Sequence, residues 1–262
     1  NQEVYREPEN RVGGRGGTME YSYKFRLYPT KAQERQIQRR FGCCRYLWNL
    51  YLIQRKAVYE VDGRTMNYYE CSKDLTALKK SLTWLKEVDA TALQSSLRDL
   101  DTSFQNFFRR VKNGEKPGYP KFKSKKNRHQ SYKSKCVGTN IKMLNKAVQL
   151  PKLGLVKCRI SKKVKGRILS ATVSQNSSGK YFVALCCTDV EMEPLPSTGA
   201  VVGLDMGLKS FAATSNGVEY SNHKFLIKSI RKLARLQRQF SRKSKESKRR
   251  EKARVKVAWL QE

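Results

Sequence analysis

Acidic residues are scarce in this chain, histidines scarcer, and long uninterrupted apolar runs are missing. Against 55 Lys and Arg, the 262 residues hold 22 Asp and Glu, a formal net charge of +33. That balance excludes an ordinary site for neutral ligands and is expected of a surface that neutralises many phosphates. With only His129 and His223, a histidine-centred triad or a His-rich metal site is excluded, so any hydrolytic chemistry must rest on carboxylates. No run of 18 apolar residues occurs, and the basic segments lack the apolar companion face of a membrane-surface helix, so no membrane is expected as partner. The seven cysteines include the adjacent pairs Cys43/Cys44 and Cys186/Cys187, which strain as disulfides and form no CxxC knuckle. A reducing, cytoplasmic location follows, and beside the nucleoid if the partner is nucleic acid.

What is present is organised by punctuation. Residues 1–18, NQEVYREPENRVGGRGGT, are polar, Gly-rich and aperiodic, and read as a disordered leader or linker before Met19. Next, Tyr23, Phe25 and Leu27 alternate with Lys24, Arg26 and Tyr28, a strand that Pro29 ends, with Thr30 placed to cap a helix. From Lys31 to about Glu60, Ile37, Phe41, Cys44, Trp48 and Tyr51 or Leu52 recur at helical spacing, leaving Arg35, Arg39, Arg40 and Arg45 for the other face. A second long helix, DATALQSSLRDLDTSFQNFFRRV, is capped by Asp89 or Thr91. Its stripe of Leu93, Leu97, Leu100, Phe104, Phe107 or Phe108 and Val111 predicts packing against the first helix rather than a platform for bases. Residues 31–114 therefore read as a helical, helix-turn-helix-like domain inserted in a β domain made of 19–30 and 115–198.

Pro117, Gly118 and Pro120 forbid continued helix. Between Arg109 and Lys135 stand eleven Lys or Arg and one acid, interleaved with Tyr119, Phe122 and Tyr132. That mixture can track a nucleic-acid backbone and stack bases, and its candidates are Lys121, Lys123, Lys125, Lys126 and Arg128. Four β-type runs follow, IKMLNKAVQLP, GLVKCRIS, ILSATVSQN and KYFVALCC, implying an antiparallel sheet or small barrel that the first strand joins, an α+β fold. No carboxylate occurs from 152 to 167, where Lys152, Lys157, Arg159, Lys162, Lys163, Lys165 and Arg167 point outward.

After the hinge EMEPLPSTG comes VVGLDMGLKSFAATSNG, a buried strand and its partner, with Asn216-Gly217 turning onto VEY. Asp205 interrupts this apolar run. An unpaired carboxylate in a buried strand costs several kcal/mol, so it is expected at the strand's exposed end, paired, or on a metal, with Gly203 and Gly207 leaving room for an ion or phosphate. Such a hairpin also opens actin-like ATPases and sugar kinases, a reading that the charge opposes. The last segment keeps Leu226, Ile230, Leu233 and Phe240 on one helical face, and residues 228–256 hold fourteen Lys or Arg against two Glu. Arg231, Arg235, Arg238 and Arg242 of that basic helix, like Arg39 and Arg40 of the first, are candidates for phosphate.

In order along the chain, YKFRLYPTKAQE, FGCCRYLWNLYL, GYPKFKSKK, IKMLNKAVQLPKLGLVKCRI and GLDMGLKSFAATSNG resemble the TnpB family, transposon-encoded RNA-guided DNA endonucleases related to type V CRISPR effectors. The resemblance implies a wedge-like antiparallel β-barrel, an inserted helical recognition lobe and, from residue 199, the start of an RNase H-like (RuvC) nuclease domain. It implies guide RNA and target double-stranded DNA as partners, and Asp205 as the first ligand of a two-Mg²⁺ site. In the family the other carboxylates and a zinc ribbon come later than Glu262. A truncated chain that does not cut alone is therefore expected, with Val201, Val202, Leu204 and Phe211 exposed. A nuclease-inactive RNA-guided repressor is the alternative, and a homodimer stays open.

Overall fold

A computed structural model describes residues 19–190 and 198–262, so the expected leader at 1–18 and most of the hinge lie outside the described residues. The elements run β1 (Met19–Tyr28), α1 (Lys31–Asp62), α2 (Tyr68–Ser81), a 3₁₀ turn (Thr83–Glu87), α3 (Ala90–Lys112), β2 (Gln130–Lys135), β3 (Lys142–Leu144), β4 (Ala147–Leu150), β5 (Gly154–Arg159), β6 (Arg167–Gln175) and β7 (Tyr181–Val190). They continue with β8 (Leu204–Asp205), β9 (Ser210–Thr214), β10 (Glu219–Ser221), α4 (Phe225–Ser241) and α5 (Lys248–Gln261). These form two compact units that divide between Met192 and Glu193, the Ser177–Gly179 turn grouping with the second. None of the described helices is long and apolar enough to cross a membrane.

In the first unit the alternation of β1 buries Tyr23, Phe25 and Leu27. Thr30 then starts α1 through a capping box: its hydroxyl accepts from the Gln33 amide at 3.3 Å, and Gln33 Oε1 accepts from the Thr30 amide at 3.0 Å. Gly63 ends the helix in the left-handed conformation, φ 66°. The sheet order is β2-β6-β7-β1-β5-β4-β3, antiparallel throughout, so the first strand lies at the centre and α1 to α3 are inserted between it and the rest. The expected barrel is a curled half-barrel, with β2 and β3 as its edges. Helices and sheet share one core, in which Leu27, Ile37, Leu47, Leu93, Val148, Val183 and Leu185 are sealed from solvent. The α3 stripe belongs to it through Leu93, Leu97, Leu100 and Phe104, consistent with packing rather than base stacking.

Several local readings of the sequence need correction. Helix α2 lies within the expected helical domain, in a stretch for which no separate helix was named, and Asn67 and Glu70 form a capping box there. Strand β2 lies inside the supposed basic loop, because its second inward residue is Ser134 beside Tyr132 and so breaks the apolar alternation. IKMLNKAVQL, with Asn145 as its turn signal, is not one strand but the β3–β4 hairpin, turning at Asn145 and Lys146, the latter with φ 63°.

In the second unit β8, β9 and β10 make a small antiparallel sheet in the order β10-β9-β8. The strand read as buried is only two residues long. Leu204 and Asp205 are both exposed, because β8 has β9 on one side and no layer over it among the described residues. Val201, Val202, Leu204 and Phe211 are 96%, 55%, 59% and 56% exposed, the apolar patch that was expected. The basic segment is two helices rather than one: RKSKES interrupts it, and the Ser247 hydroxyl caps α5 by accepting from the Arg250 amide at 3.1 Å. Leu233, Leu236 and Phe240 are half-buried in this pair, with the Arg250 guanidinium 4.3 Å above the Phe240 ring.

Candidate nucleic-acid interface

Along α1, Lys31, Arg35, Gln38, Gly42 and Arg45 follow one another at four and three residues, which places them on one helix face. They line a groove of about 780 Å³ with Glu34, Arg39, Lys125, Gln130 and Tyr181. Five cations thus meet one carboxylate there.

The strap from Pro117 to His129 brings Lys125 to the helix, and α1 itself fixes the strap. Trp48 Nε1 donates to the Lys121 carbonyl at 3.0 Å, Asn49 Nδ2 donates to the Lys123 carbonyl at 2.9 Å, and the Lys123 amide donates to Asn49 Oδ1 at 2.8 Å. The floor is polar and satisfied: Gln38 Nε2 donates to Tyr181 Oη at 3.0 Å and to Gln175 Oε1 at 2.8 Å, while Arg45 Nη1 donates to Gln130 Oε1 at 3.2 Å. Burial raises the Tyr181 hydroxyl pKa, against the Gln38 hydrogen bond. Arg39 pairs with Glu87 at 2.5 Å, but with 69% and 54% of the two side chains exposed the pair is weak and can yield to a phosphate.

Of the residues expected to hold phosphate, Arg39 and Lys125 lie in this groove. Arg40 does not. It is 3% exposed, and its guanidinium donates to the carbonyls of Gln36 at 3.0 Å, Pro151 at 3.4 Å and Lys152 at 2.6 Å. The chain turns after β4 against α1, and carbonyls there need donors that no strand supplies. Lys123 is exposed, but its ammonium lies 3.6 Å from the Trp48 ring centre in a small hollow shared with Asp99. Desolvation lowers the Lys123 pKa and raises that of Asp99, each opposed by the other's charge. Lys121, Lys126 and Arg128 are exposed on the strap, and Lys162, Lys163 and Lys165 in the loop before β6. Lys152, read as outward, donates to the carbonyls of Lys86 and Val88.

Lys31, Arg35 and Arg45 were not among the candidates, yet their spacing with Arg39 was the available signal. In the second unit Arg231, Arg235, Arg238 and Arg242 are exposed at intervals of four, three and four on α4 and its C-cap, one continuous cationic face.

Asp205 is exposed beside the tight start of the β8–β9 hairpin, where the Gly203 amide donates to Ser215 Oγ at 2.9 Å. Among the described residues no three His, Cys, Asp or Glu gather as a metal site. One carboxylate does not make a two-ion site, so these residues by themselves fit an anion-binding surface.

Two family models match the chain: one described as "Helix-turn-helix domain" over residues 19–64, which are β1, α1 and the turn after it, and one described as "Probable transposase" over residues 184–262. A Streptomyces pristinaespiralis protein named "Putative RNA-guided DNA endonuclease" is 35% identical over 242 residues, 90% of this chain and 58% of that protein. An Escherichia coli K12 protein, "Putative RNA-guided DNA endonuclease InsQ", is 32% identical over 226 residues, 86% of this chain and 54% of that one. The chain thus spans little more than half the length of these curated relatives. Among solved structures, a Cas12f1–sgRNA–target DNA complex is similar at 12% identity with a TM-score of 0.47, covering 93% of this chain and 75% of that one.

Proposed function

Because this chain belongs to the TnpB family of transposon-encoded proteins, we propose that it is the nucleic-acid-holding portion of an RNA-guided DNA endonuclease of a mobile element, with guide RNA and target DNA as its partners. The observation that carries this reading is the α1 groove, where five cations surround a polar, preformed floor. Such a surface contacts phosphate and leaves sequence to base pairing. In this reading the half-barrel is the wedge-like domain, α1 to α3 the inserted recognition lobe, and the second unit the start of the nuclease domain, with the α4 arginines on nucleic-acid backbone. A divalent metal serves the whole enzyme's chemistry, with Asp205 as one of its ligands.

Filter binding across a salt series tests it. Five phosphate contacts on a single strand give a log–log slope of about −3.5, and Arg35→Glu with Lys125→Glu should make it shallower by about 1.4 or more. Asp205→Ala should leave binding intact and, in a cleavage-competent preparation, abolish cutting. A flat salt response of the unmodified chain refutes the reading.

A further inference from the structure

The cationic groove has a neighbour on the adjoining face of α1. A second hollow, about 420 Å³, is lined by Arg39, Gly42, Cys43, Trp84, Glu87 and Val88, and shares Arg39 and Gly42 with the first. Its character is different. Cys43 and Val88 are buried in its floor, while Trp84 is 39% exposed and held upright by Tyr46, edge-on at a centroid distance of 5.2 Å.

Gly42 is the ridge between the two hollows. It lies in the interior of a 32-residue helix, at a helical and not a left-handed φ, and glycine there weakens a helix relative to alanine. Packing does not require it: a Cβ at this position would have the Arg45 Nη2 atom at 3.9 Å as its only neighbour within 4 Å. What the missing side chain does is keep the ridge low where a polyanion in the groove could send a group across.

Resting on the nucleic-acid reading above, we propose that the Trp84 hollow receives one unpaired base of the single strand whose phosphates lie in the α1 groove. The strand passes over Gly42, its phosphates on Arg35, Arg39 and Arg45, and the base stacks on the Trp84 ring above Cys43 and Val88. The two hollows are complementary to the two halves of a nucleotide: cations face the phosphate, and a mainly apolar aromatic wall faces the base. Arg39, common to both, rests on Glu87 in the exposed pair that a phosphate can displace. Stacking on an indole admits any base, so the site takes an unpaired base without reading its identity.

The test uses the whole chain with 12-nucleotide single strands, RNA in one arm and DNA in the other, each carrying one abasic residue walked along its length. For the unmodified protein, one abasic position in at least one arm should weaken binding about tenfold. Trp84→Ala, and Gly42→Leu, which raises the ridge, should each weaken binding of the intact strand about tenfold. Both should become indifferent to the abasic position while keeping the salt slope. Gly42→Ala should bind as the unmodified protein does, and Trp84→Ala, a change at the surface, keeps the test alive should Gly42→Leu fail to fold. A steep salt slope with no sensitive position, or with Trp84→Ala binding normally, overturns the base site and leaves the phosphate groove standing. A flat salt response overturns both.

Discussion

Arg39 and Arg40 are adjacent on α1 and indistinguishable by composition, yet the structure gives them opposite fates, and Arg40→Met with Arg39→Met measures the difference. Methionine keeps most of the Arg40 stem and removes its donors. The short bond to the Lys152 carbonyl, 2.6 Å, is charge-assisted and is lost for about 2 kcal/mol, and those to Gln36, 3.0 Å, and Pro151, 3.4 Å, for about 1 kcal/mol each. Removing the Arg40 Nε, buried without a partner, returns about 1 kcal/mol, which leaves a net loss of about 3 kcal/mol. For a unit of this size that lowers Tm by about 8 °C. Arg39→Met removes an exposed pair with Glu87 and should move Tm by no more than about 2 °C. The salt slope of RNA binding should respond the other way, unchanged by Arg40→Met and shallower by about 0.7 for Arg39→Met. Thermal unfolding by circular dichroism and filter binding give both numbers. A stable Arg40→Met protein with a shallower slope would refute the assignment of Arg40 to the core.

Two further outcomes concern stability. Burial pushes the Cys44 thiol up to about 12 and that of Cys71 to about 11, both from 9.0. Above pH 9 the unfolded chain loses these protons while the folded chain keeps them, so unfolding releases protons and stability falls as pH rises, by about 1.4 kcal/mol per unit per thiol. Urea midpoints at pH 8 and pH 10 should show the fall, and Cys44→Ala should flatten it. Gly166 has φ 78°, and a Cβ there would stand 2.2 Å from the Thr188 carbonyl oxygen and 2.8 Å from Val190 Cγ2. Gly166→Ala should therefore destabilise the β6–β7 pairing by about 3 kcal/mol; a Tm within a degree or two of the unmodified protein would contradict it.

The sequence revealed most where one period dominated. The α1 spacing, the Thr30 cap and the Asp89 cap of α3 all stand where the pattern put them, because local hydrogen bonds decide them. Strand β1 was legible as a strand that joins the later ones, but its central place between β5 and β7 was not. What stayed hidden depended on partners distant in sequence. Arg40 reads as one more surface cation until the carbonyls of Pro151 and Lys152, more than a hundred residues on, are laid against it. Ser134 reads as loop until β6 pairs with its strand. The strand carrying Asp205 reads as buried because its residues are apolar, but apolar residues are buried only when another layer covers them; the exposure of Asp205 itself was expected. The groove was half legible: charge alone nominated Arg39 and Lys125, and helical spacing would have added Lys31, Arg35 and Arg45.

The central place of β1 has a consequence for the order in which this protein can assemble. Its two neighbours are β5 and β7, which begin at Gly154 and Tyr181, so β1 is flanked on both sides only after nearly all of the first unit has been made. Until then α1, α2 and α3 can form from local contacts, but Tyr23, Phe25 and Leu27 have no sheet to join. Such high contact order slows folding and leaves an apolar strand with two open edges in the nascent chain. On the proposed reading nucleic acid cannot help at that stage, since the groove is floored by Tyr181 and Gln175, among the last residues of the sheet to appear. Assembly with nucleic acid therefore follows completion of the half-barrel, and conditions that slow synthesis between β1 and β7 lengthen the interval in which the chain is open to aggregation.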